Sequence, residues 1–276
     1  MDSKVENLIQ KSGMITHHKV VNVLRGRKWD VLVSPYYYDN TSDKTKEIDV
    51  VAEKLFPVAG NEKYISIQLF IECKYIDKEV VFWFDDKDMK KAVEKVENDF
   101  NLELVGEGLR MAGDATTDPF HYLTDEKVAK LFSTNTNKED VIYKALSQSL
   151  NAMIHYERLN IGSIMDDKKS LYRIIRQPII VCDNFDNLLE VNLEHVNLPA
   201  LKIDKNFQIE VNYIYQKDRR SEYSLIDVID IKSLNSFLEH LEEEEVKPIR
   251  DKAIDDEGAK RFKQRQNKRK NPYRNL

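Results

Sequence analysis

Two carboxylates and a lysine, carried on two segments that alternate in polarity, are the residues of this chain best suited to chemistry. Over residues 64–75 the odd positions are apolar, whereas Glu72 and Lys74 occupy even positions and so point to one face of a predicted half-buried strand. The same period of two puts Asp49 on the polar face of a predicted strand over residues 46–53. If the two strands pair, the three side chains converge on one surface. That combination suits a hard divalent cation that meets a phosphate ester.

The two carboxylates predict a magnesium site. Mg²⁺ typically takes one or two protein carboxylates and completes its shell with water and substrate phosphate. Asp49 and Glu72 are the candidate side-chain ligands, the carbonyl of Cys73 is a further candidate, and Mn²⁺ is an expected substitute. Lys74 would then orient the attacking water or help to deprotonate it. A surface salt bridge between Glu72 and Lys74 explains the same residues equally well, so the residues alone leave both interpretations open.

The composition indicates a folded protein with an acidic body. Of the 276 residues, 41% are hydrophobic, which is enough for a substantial core. The net charge is −5, yet residues 260–276 carry eight basic residues and no acid, which leaves the preceding body at −13. An acidic body disfavours indiscriminate binding of nucleic acid. The basic end can contact phosphates, and a solvated tail that aids solubility is the equal alternative.

The apolar segments predict a cytoplasmic protein with no membrane partner. No segment approaches the roughly 18 consecutive apolar residues of a membrane span, and the first residues lack the apolar centre of a signal peptide. Cys73 and Cys182 both lie in apolar, strand-like segments, and neither has a second cysteine at CxxC spacing. We therefore expect two buried thiols, with neither a disulfide nor a zinc site.

The elements around the candidate residues predict an α/β sandwich with a mixed central sheet flanked by helices. In chain order they are a helix over 16–24, strands over 29–38, 46–53 and 64–75, a short strand over 80–84, a helix over 89–100, a helix that follows a capping box at 136–139 and ends at 156, and a strand over 178–183. Thr16 is the expected N-cap of the first helix, and residues 39–43 predict a hairpin turn. These elements form a predicted core over residues 1–183.

The remaining chain predicts an insertion, an extension and a tail. Residues 101–135 have weak periodicity and are expected to form an irregular insertion in the core. Residues 184–250 predict an antiparallel β extension and then a helix packed on the core, with the acidic run 242–245 as a solvated helix end. The basic residues 251–276 are expected to be a flexible tail.

Asp49, followed by Glu72-x-Lys74, resembles the catalytic motif of the PD-(D/E)xK nucleases, the restriction-endonuclease-like superfamily. The first 75 residues are similar to a mostly uncharacterised prokaryotic group within it. The resemblance implies a restriction-endonuclease-like sandwich and Mg²⁺-dependent hydrolysis of DNA phosphodiester bonds, in restriction, phage defence or repair. It also implies a homodimer that cuts both strands. Since the sequence has no Walker loop, any energy-driven translocation would need a separate ATPase or helicase partner.

Three positions depart from the pattern of that superfamily. Ile48 replaces the name-giving proline. His17 stands where the first helix often carries a third acid, which implies a weaker metal site or a neutral imidazole ligand. Gln148 resembles a glutamine of some branches, although Ala152 replaces the tyrosine that follows there. Ordinary helix residues remain the alternative for both His17 and Gln148.

Other functions compete with a nuclease. One is a catalytically silent protein of the same fold that binds nucleic acid or a protein partner, and the intact Asp49, Glu72 and Lys74 argue against it. Another is phosphoryl transfer on RNA or a nucleotide. The aromatic run 36–38 and Trp83 can stack on bases. Because rings on such strands are often part of the core, no binding role is assigned to them.

Overall fold

The computed structural model describes residues 14–39, 41–58, 62–100, 120–134, 141–159, 163–164, 168–195, 199–215 and 220–270. These residues form an α/β structure, in which a mixed sheet of ten strands is flanked by helices. The helices are α1 (Met14–Gly26), α2 (Met89–Phe100), α3 (Val141–Arg158), α4 (Leu234–His240) and α5 (Val246–Lys270), with a 3₁₀ turn at His121–Leu123 and a π-helical turn at Leu241–Glu245. None of the described helices is both long and apolar enough to cross a membrane.

The strands belong to the large sheet and to one separate hairpin. They are β1 (Asp30–Val33), β2 (Tyr36–Asp39), β3 (Lys44–Glu47), β4 (Val50–Pro57), β5 (Lys63–Lys74), β6 (Val80–Asp86), β7 (Lys127–Thr134), β8 (Ser170–Cys182), β9 (Leu188–Asn192), β10 (Leu201–Lys202), β11 (Phe207–Tyr215) and β12 (Arg220–Asp230). The order in the large sheet is β1-β4-β5-β8-β12-β11-β7-β6-β9-β10, and β2 pairs with β3 in the hairpin. The predicted α/β class with a mixed sheet is therefore confirmed.

Strand β5 lies inside the sheet and is buried on both faces. It pairs antiparallel with β4, where Val50 is opposite Ile71, and parallel with β8, where Lys74 is opposite Cys182. The expectation of a half-buried strand is wrong, since Ser66 and Glu72 are buried as well as the apolar positions. The reason is that helices cover both faces of β5. Glu72 consequently lies beneath a helix and not on a solvated surface.

The two faces of the sheet hold separate hydrophobic clusters. On one face α1 packs on Val50, Ile71 and Cys73, and on the other face α3 packs on Val51 and Phe70. Because side chains alternate along a strand, Glu72 shares the α3 face with Phe70. The two cysteines are buried, as the sequence predicts.

The two strands predicted over residues 29–38 and 46–53 are each broken by a bend. The first breaks at Ser34, whose φ of 53° lies in the left-handed region, and the second breaks between β3 and β4. Two hydrogen bonds join the bends: Ser34 N–H donates to the carbonyl of Asp49 at 2.9 Å, and Ile48 N–H donates to the carbonyl of Pro35 at 3.1 Å. The β2–β3 hairpin thus leaves the large sheet at these bends. Asp49 lies at the base of that hairpin and not within a continuous strand.

The insertion and the extension are more regular than predicted. Residues 120–134 contain the 3₁₀ turn and β7, which pairs with β6 and β11, while residues 101–119 lie outside the described part of the chain. Strands β9 to β12 belong to the same sheet as β5, because Asp227 of β12 pairs with Ile179 of β8 in parallel register. The extension is therefore continuous with the core.

Two predictions, one near each end of the chain, need correction, and a third concerns residues that the structure does not describe. Thr16 lies inside α1 and does not cap it, since α1 already includes Met14. The final helix α5 runs to Lys270, where a flexible tail is predicted from residue 251. The predicted capping box at residues 136–139 lies outside the described residues.

Candidate active site

The structure brings Asp49, Glu72 and Lys74 together at the end of β5. Asp49 immediately precedes β4, and the pairing of Val50 with Ile71 places it next to Glu72. Lys74 Nζ lies 2.6 Å from Glu72 Oε2 and 4.0 Å from Asp49 Oδ2. The carboxylates of Asp49 and Glu72 thus share the ammonium group of Lys74, and the three residues lie together as their spacing predicts.

The backbone of β5 holds the carboxylate of Asp49 in place. The N–H of Cys73 donates to Asp49 Oδ2 at 2.7 Å. The Asp49 side chain is 28% exposed, Lys74 is 15% exposed and Glu72 is 1% exposed. The site therefore opens to solvent at Asp49, and Glu72 forms its floor. The Cys73 thiol packs on the opposite face, where burial raises its pKa well above the usual value, so the candidate ligand from this residue is its carbonyl and not its sulfur.

Glu72 is a buried carboxyl with too few partners. It receives a hydrogen bond from Lys74 and another from the backbone N–H of Asp49, yet its Oε1 atom is buried and accepts none among the described residues. Burial raises the pKa of Glu72 to about 7, with a further contribution from the charge of Asp49, and Lys74 offsets only part of this effect. A divalent cation would supply the positive partner that the ionised carboxylate lacks.

Lys74 carries its charge at neutral pH. Burial alone lowers the pKa of Lys74, but the carboxylates of Glu72 and Asp49 outweigh that effect and raise the pKa above its usual 10.5. A protonated lysine can bind a phosphate oxygen or a water molecule as a hydrogen-bond donor. It is not available to accept a proton while both carboxylates remain beside it.

The donor set fits magnesium better than a structural zinc ion. Among the described residues, no three or more His, Cys, Asp and Glu side chains are grouped so that they could hold a metal ion. Zinc in proteins usually takes three or four side-chain ligands, whereas Mg²⁺ is often held by one or two carboxylates together with waters and substrate phosphate. Asp49 and Glu72 match the second arrangement, with solvent access on the side of Asp49.

Gln148 and His17 are the two further candidates for a role in the site. Gln148 lies near it, whereas His17 lies in α1. His17 is buried in α1, which packs on the face opposite Glu72, and the described residues show no contact between it and the three site residues. Gln148 Nε2 donates to the carbonyl of Glu47 at 3.0 Å, and its Oε1 is buried without a hydrogen-bond partner. Gln148 therefore connects α3 to the bend that carries Asp49.

Sequence reasoning assigned no role to Tyr37, which the structure places near the site. Its ring is buried in the α3 cluster, with its centroid 6.4 Å from that of His155. Burial raises the pKa of the Tyr37 hydroxyl, and the charges of Asp39 and Glu72 raise it further. Residues 36–39, three tyrosines and an aspartate, do not alternate in polarity, so nothing local in the sequence could have shown Tyr37 to be the inward-facing ring.

The prediction of a solvated helix end over the acidic run 242–245 is wrong for Glu242 and Glu245, whereas Glu243 and Glu244 are exposed as predicted. The Glu242 side chain is largely buried and accepts hydrogen bonds from Arg27 Nε at 3.0 Å, Lys54 Nζ at 2.7 Å and Trp29 Nε1 at 2.7 Å. These donors come from the start of the chain, more than 180 residues away. Nothing local in the acidic run could have predicted them.

Glu245 belongs to a second buried cluster that the sequence did not predict. His121 Nδ1 lies 2.5 Å from Glu245 Oε1, and His121 Nε2 lies 3.0 Å from Asp227 Oδ2. Burial alone lowers the pKa of His121, but Asp227 and Glu245 outweigh it and raise the pKa to about 10. Burial alone raises the pKa of Glu245, yet His121 lowers it to about 2. The cluster is thus an internal ion network.

Comparisons with known proteins return no relative for this chain. No family model matches it, and neither a curated protein nor a solved structure does. Any functional conclusion therefore depends on the site itself and on the motif that its residues spell.

Proposed function

We propose that this protein is a Mg²⁺-dependent endonuclease that hydrolyses DNA phosphodiester bonds at Asp49, Glu72 and Lys74. The observation that carries the proposal is the meeting of two carboxylates and one ammonium at a solvent opening, where one oxygen of the inner carboxylate accepts no hydrogen bond from the part of the chain that the structure describes. The resemblance of these residues to the PD-(D/E)xK motif supports the same reaction. Within that proposal, the sheet and its helices correspond to a restriction-endonuclease-like sandwich.

Each residue has a distinct part in the proposed reaction. Asp49 and Glu72 would hold Mg²⁺, with the carbonyl of Cys73 as a third protein ligand. When bound, the ion polarises a phosphoryl oxygen and lowers the pKa of a coordinated water. The hydrogen bond from the Cys73 N–H fixes Asp49 in the orientation that faces the opening. The Lys74 ammonium would bind the substrate phosphate or the attacking water and stabilise the negative charge that develops on phosphorus oxygens.

Binding of DNA by an acidic body requires local positive charge. Helix α5 supplies basic residues near its end, among them Lys260 and Arg261, which can neutralise phosphates outside the site. A homodimer would place two such sites on opposite strands, and a separate ATPase or helicase would supply any translocation. Restriction, phage defence and repair are the settings that fit this activity.

A cleavage assay tests the proposal directly. Native protein is incubated with supercoiled plasmid, linear duplex and single-stranded DNA, with Mg²⁺, with Mn²⁺ and with EDTA. We expect metal-dependent cleavage that Lys74→Ala lowers by at least about 100-fold, as for loss of a charged group that contacts the transition state. Lys78→Ala, which removes an exposed lysine four residues later, is the matched control and should cleave normally. Equal cleavage by both variants would refute the assigned site.

A catalytically silent, DNA-binding protein is the second candidate. The observation that favours it is the 2.6 Å contact of Lys74 with a nearly inaccessible Glu72, because a closed ion pair can fill the site without any metal. Calorimetric titration of Mg²⁺ into native protein and Glu72→Ala separates the two functions. Heat that disappears in the variant supports the nuclease, and equal heats from both proteins support the silent alternative.

A further inference from the structure

The three consecutive tyrosines of β2 have two different environments. Tyr37 is 2% exposed, whereas Tyr36 is 68% exposed and Tyr38 is 38% exposed. The alternation follows from the strand geometry, which turns Tyr37 toward α3 and its neighbours outward. The two outer rings are therefore the exposed ones, and together they form a small aromatic patch on one face of the hairpin.

The hairpin that carries these rings is fixed to the body of the protein. Tyr37 is part of the buried α3 cluster. Gln148 of α3 donates to the carbonyl of Glu47, and Thr41 Oγ1 lies 3.4 Å from Asn151 Oδ1 of the same helix. These contacts hold both strands of the hairpin. The outer rings are consequently presented on a preorganised platform, which lowers the entropic cost of binding.

The outward face of the hairpin carries no cation among its described residues. Tyr36 is opposite Glu47 and Tyr38 is opposite Thr45, so these four side chains share the outward face. Lys46 lies on the inward side, where it pairs with Asp39 at 2.5 Å. A surface of two rings and one carboxylate repels phosphate. It can accept the face of a base, because stacking needs no charge.

This surface begins at the candidate active site. Tyr36 directly follows Pro35, whose carbonyl accepts the hydrogen bond of Ile48 N–H at 3.1 Å, and Ile48 is joined to Asp49. A nucleotide that stacks on Tyr36 would thus lie close to a phosphate held at Asp49 and Lys74. In a paired duplex both faces of every internal base are covered by neighbouring base pairs.

We infer that Tyr36 and Tyr38 form a stacking surface for an unpaired base, and that the substrate class is single-stranded or locally unpaired DNA. This inference rests on the proposed nuclease function, for which it specifies the substrate. Tyr36 is the principal contact because it is the more exposed ring and because its pairing with Glu47 places it at the end of the hairpin that adjoins Asp49. Tyr38 is oriented by a hydrogen bond from its hydroxyl to Asp43 and extends the surface away from the site.

Fluorescence anisotropy with the full-length Lys74→Ala protein measures binding without cleavage. The probes are a labelled single-stranded 15-mer, its blunt duplex, and a single strand of the same length in which the central bases are replaced by abasic sites. Tyr36→Ala removes the ring, Tyr36→Phe retains it, and Leu201→Ala removes an exposed apolar side chain from the far edge of the sheet as a control.

We expect the intact single strand to bind at least about 10-fold more tightly than either the duplex or the abasic strand. Tyr36→Ala should lower that affinity about 10-fold, while Tyr36→Phe and Leu201→Ala stay within about twofold, as for the loss of one stacked base. Equal affinity for single strand and duplex, or an unchanged affinity of Tyr36→Ala, would overturn the inference.

Cleavage by the otherwise native protein separates the two proposals. If native protein and Tyr36→Ala cleave all substrates equally, the nuclease proposal stands and the stacking surface is wrong. If binding depends on the Tyr36 ring but native protein cleaves nothing with any metal, the stacking surface stands and the nuclease proposal is wrong.

Discussion

Two buried glutamates on neighbouring strands have opposite hydrogen-bonding environments. Glu53 of β4 and Glu72 of β5 are 0% and 1% exposed, and both lie on the face covered by α3. Glu53 accepts four hydrogen bonds, two at each oxygen: from Ser66 Oγ at 2.6 Å, Gln68 Nε2 at 3.0 Å, Ser163 Oγ at 2.8 Å and Ile164 N–H at 2.9 Å. Glu72 has one oxygen that accepts none among the described residues.

The difference separates a structural carboxylate from one that is available to a ligand. Four hydrogen-bond donors, together with the nearby charge of Arg176, replace the water that Glu53 loses on burial, so this residue connects β4 and β5 to the segment at residues 163–164. Glu72 pairs with a single cation, Lys74, which it shares with Asp49. Its raised pKa shows that Lys74 does not fully offset the cost of burying its charge. Burial alone therefore does not mark a candidate functional acid; Glu72 combines burial with an oxygen that accepts no hydrogen bond among the described residues and with a raised pKa.

The largest effect that this comparison predicts is on folding. Glu53→Ala would remove the buried acceptor of four hydrogen bonds, and we expect it to lower the free energy of unfolding by about 3–5 kcal/mol. Urea denaturation followed by circular dichroism measures the change. Glu243→Ala, at an exposed glutamate, should stay within about 0.5 kcal/mol of the native protein. A similar small change for both variants would show that the donors around Glu53 do not stabilise the fold.

The His121 network should respond to pH in the manner of a buried ion pair. The pKa of His121 is about 10 in the folded protein and 6.5 in the unfolded chain. The contribution of His121 to the free energy of unfolding is therefore complete below pH 6.5 and is lost as the pH rises through 10. We expect the stability difference between native protein and His121→Gln to shrink by about 4 kcal/mol between pH 6 and pH 10. Denaturant titrations at both pH values measure it. A constant difference would mean that His121 is not held as a cation by Asp227 and Glu245.

Glu72→Gln should weaken metal binding without harming the fold. Since burial makes the ionised Glu72 costly, removing its charge at pH 8 should leave the free energy of unfolding unchanged or higher. The same substitution should weaken Mg²⁺ binding at least about 10-fold, because one of two carboxylate ligands is lost. Calorimetry and urea denaturation of one preparation give both values. A destabilised variant that binds Mg²⁺ normally would place Glu72 with Glu53 as a structural residue.

The candidate site could be predicted from local patterns because its residues lie on two adjoining segments. Period-two alternation sufficed to place Glu72 and Lys74 on one face, and the spacing to Asp49 fits an antiparallel pair. Elements with a clear pattern could be predicted for the same reason, and the helix over residues 89–100 has the predicted bounds. Short-range signals of this kind survive in any tertiary context.

What the sequence could not reveal depends on contacts between distant segments. The alternation of β5 predicts one polar face, but that face is covered by α3, which begins more than 60 residues after β5, and by Ser163 and Ile164, which lie 110 and 111 residues from Glu53. The acidic run at residues 242–245 likewise acquired Arg27 and Lys54 as partners only through the fold. The sequence alone therefore does not distinguish a buried glutamate whose two oxygens both accept hydrogen bonds from one with an oxygen that accepts none.

The smallest predicted effect is at an exposed ion pair, and it isolates the role of burial. Lys205 Nζ lies 3.3 Å from Asp125 Oδ1, with side chains that are 75% and 37% exposed. Lys205→Ala should change the free energy of unfolding by less than about 0.5 kcal/mol, because water replaces the lost partner at both groups. The measurement is the same urea titration as for Glu53→Ala. If the exposed pair cost as much as the buried glutamate, the number of partners and not their burial would determine stability, and the distinction between Glu53 and Glu72 would lose its physical basis.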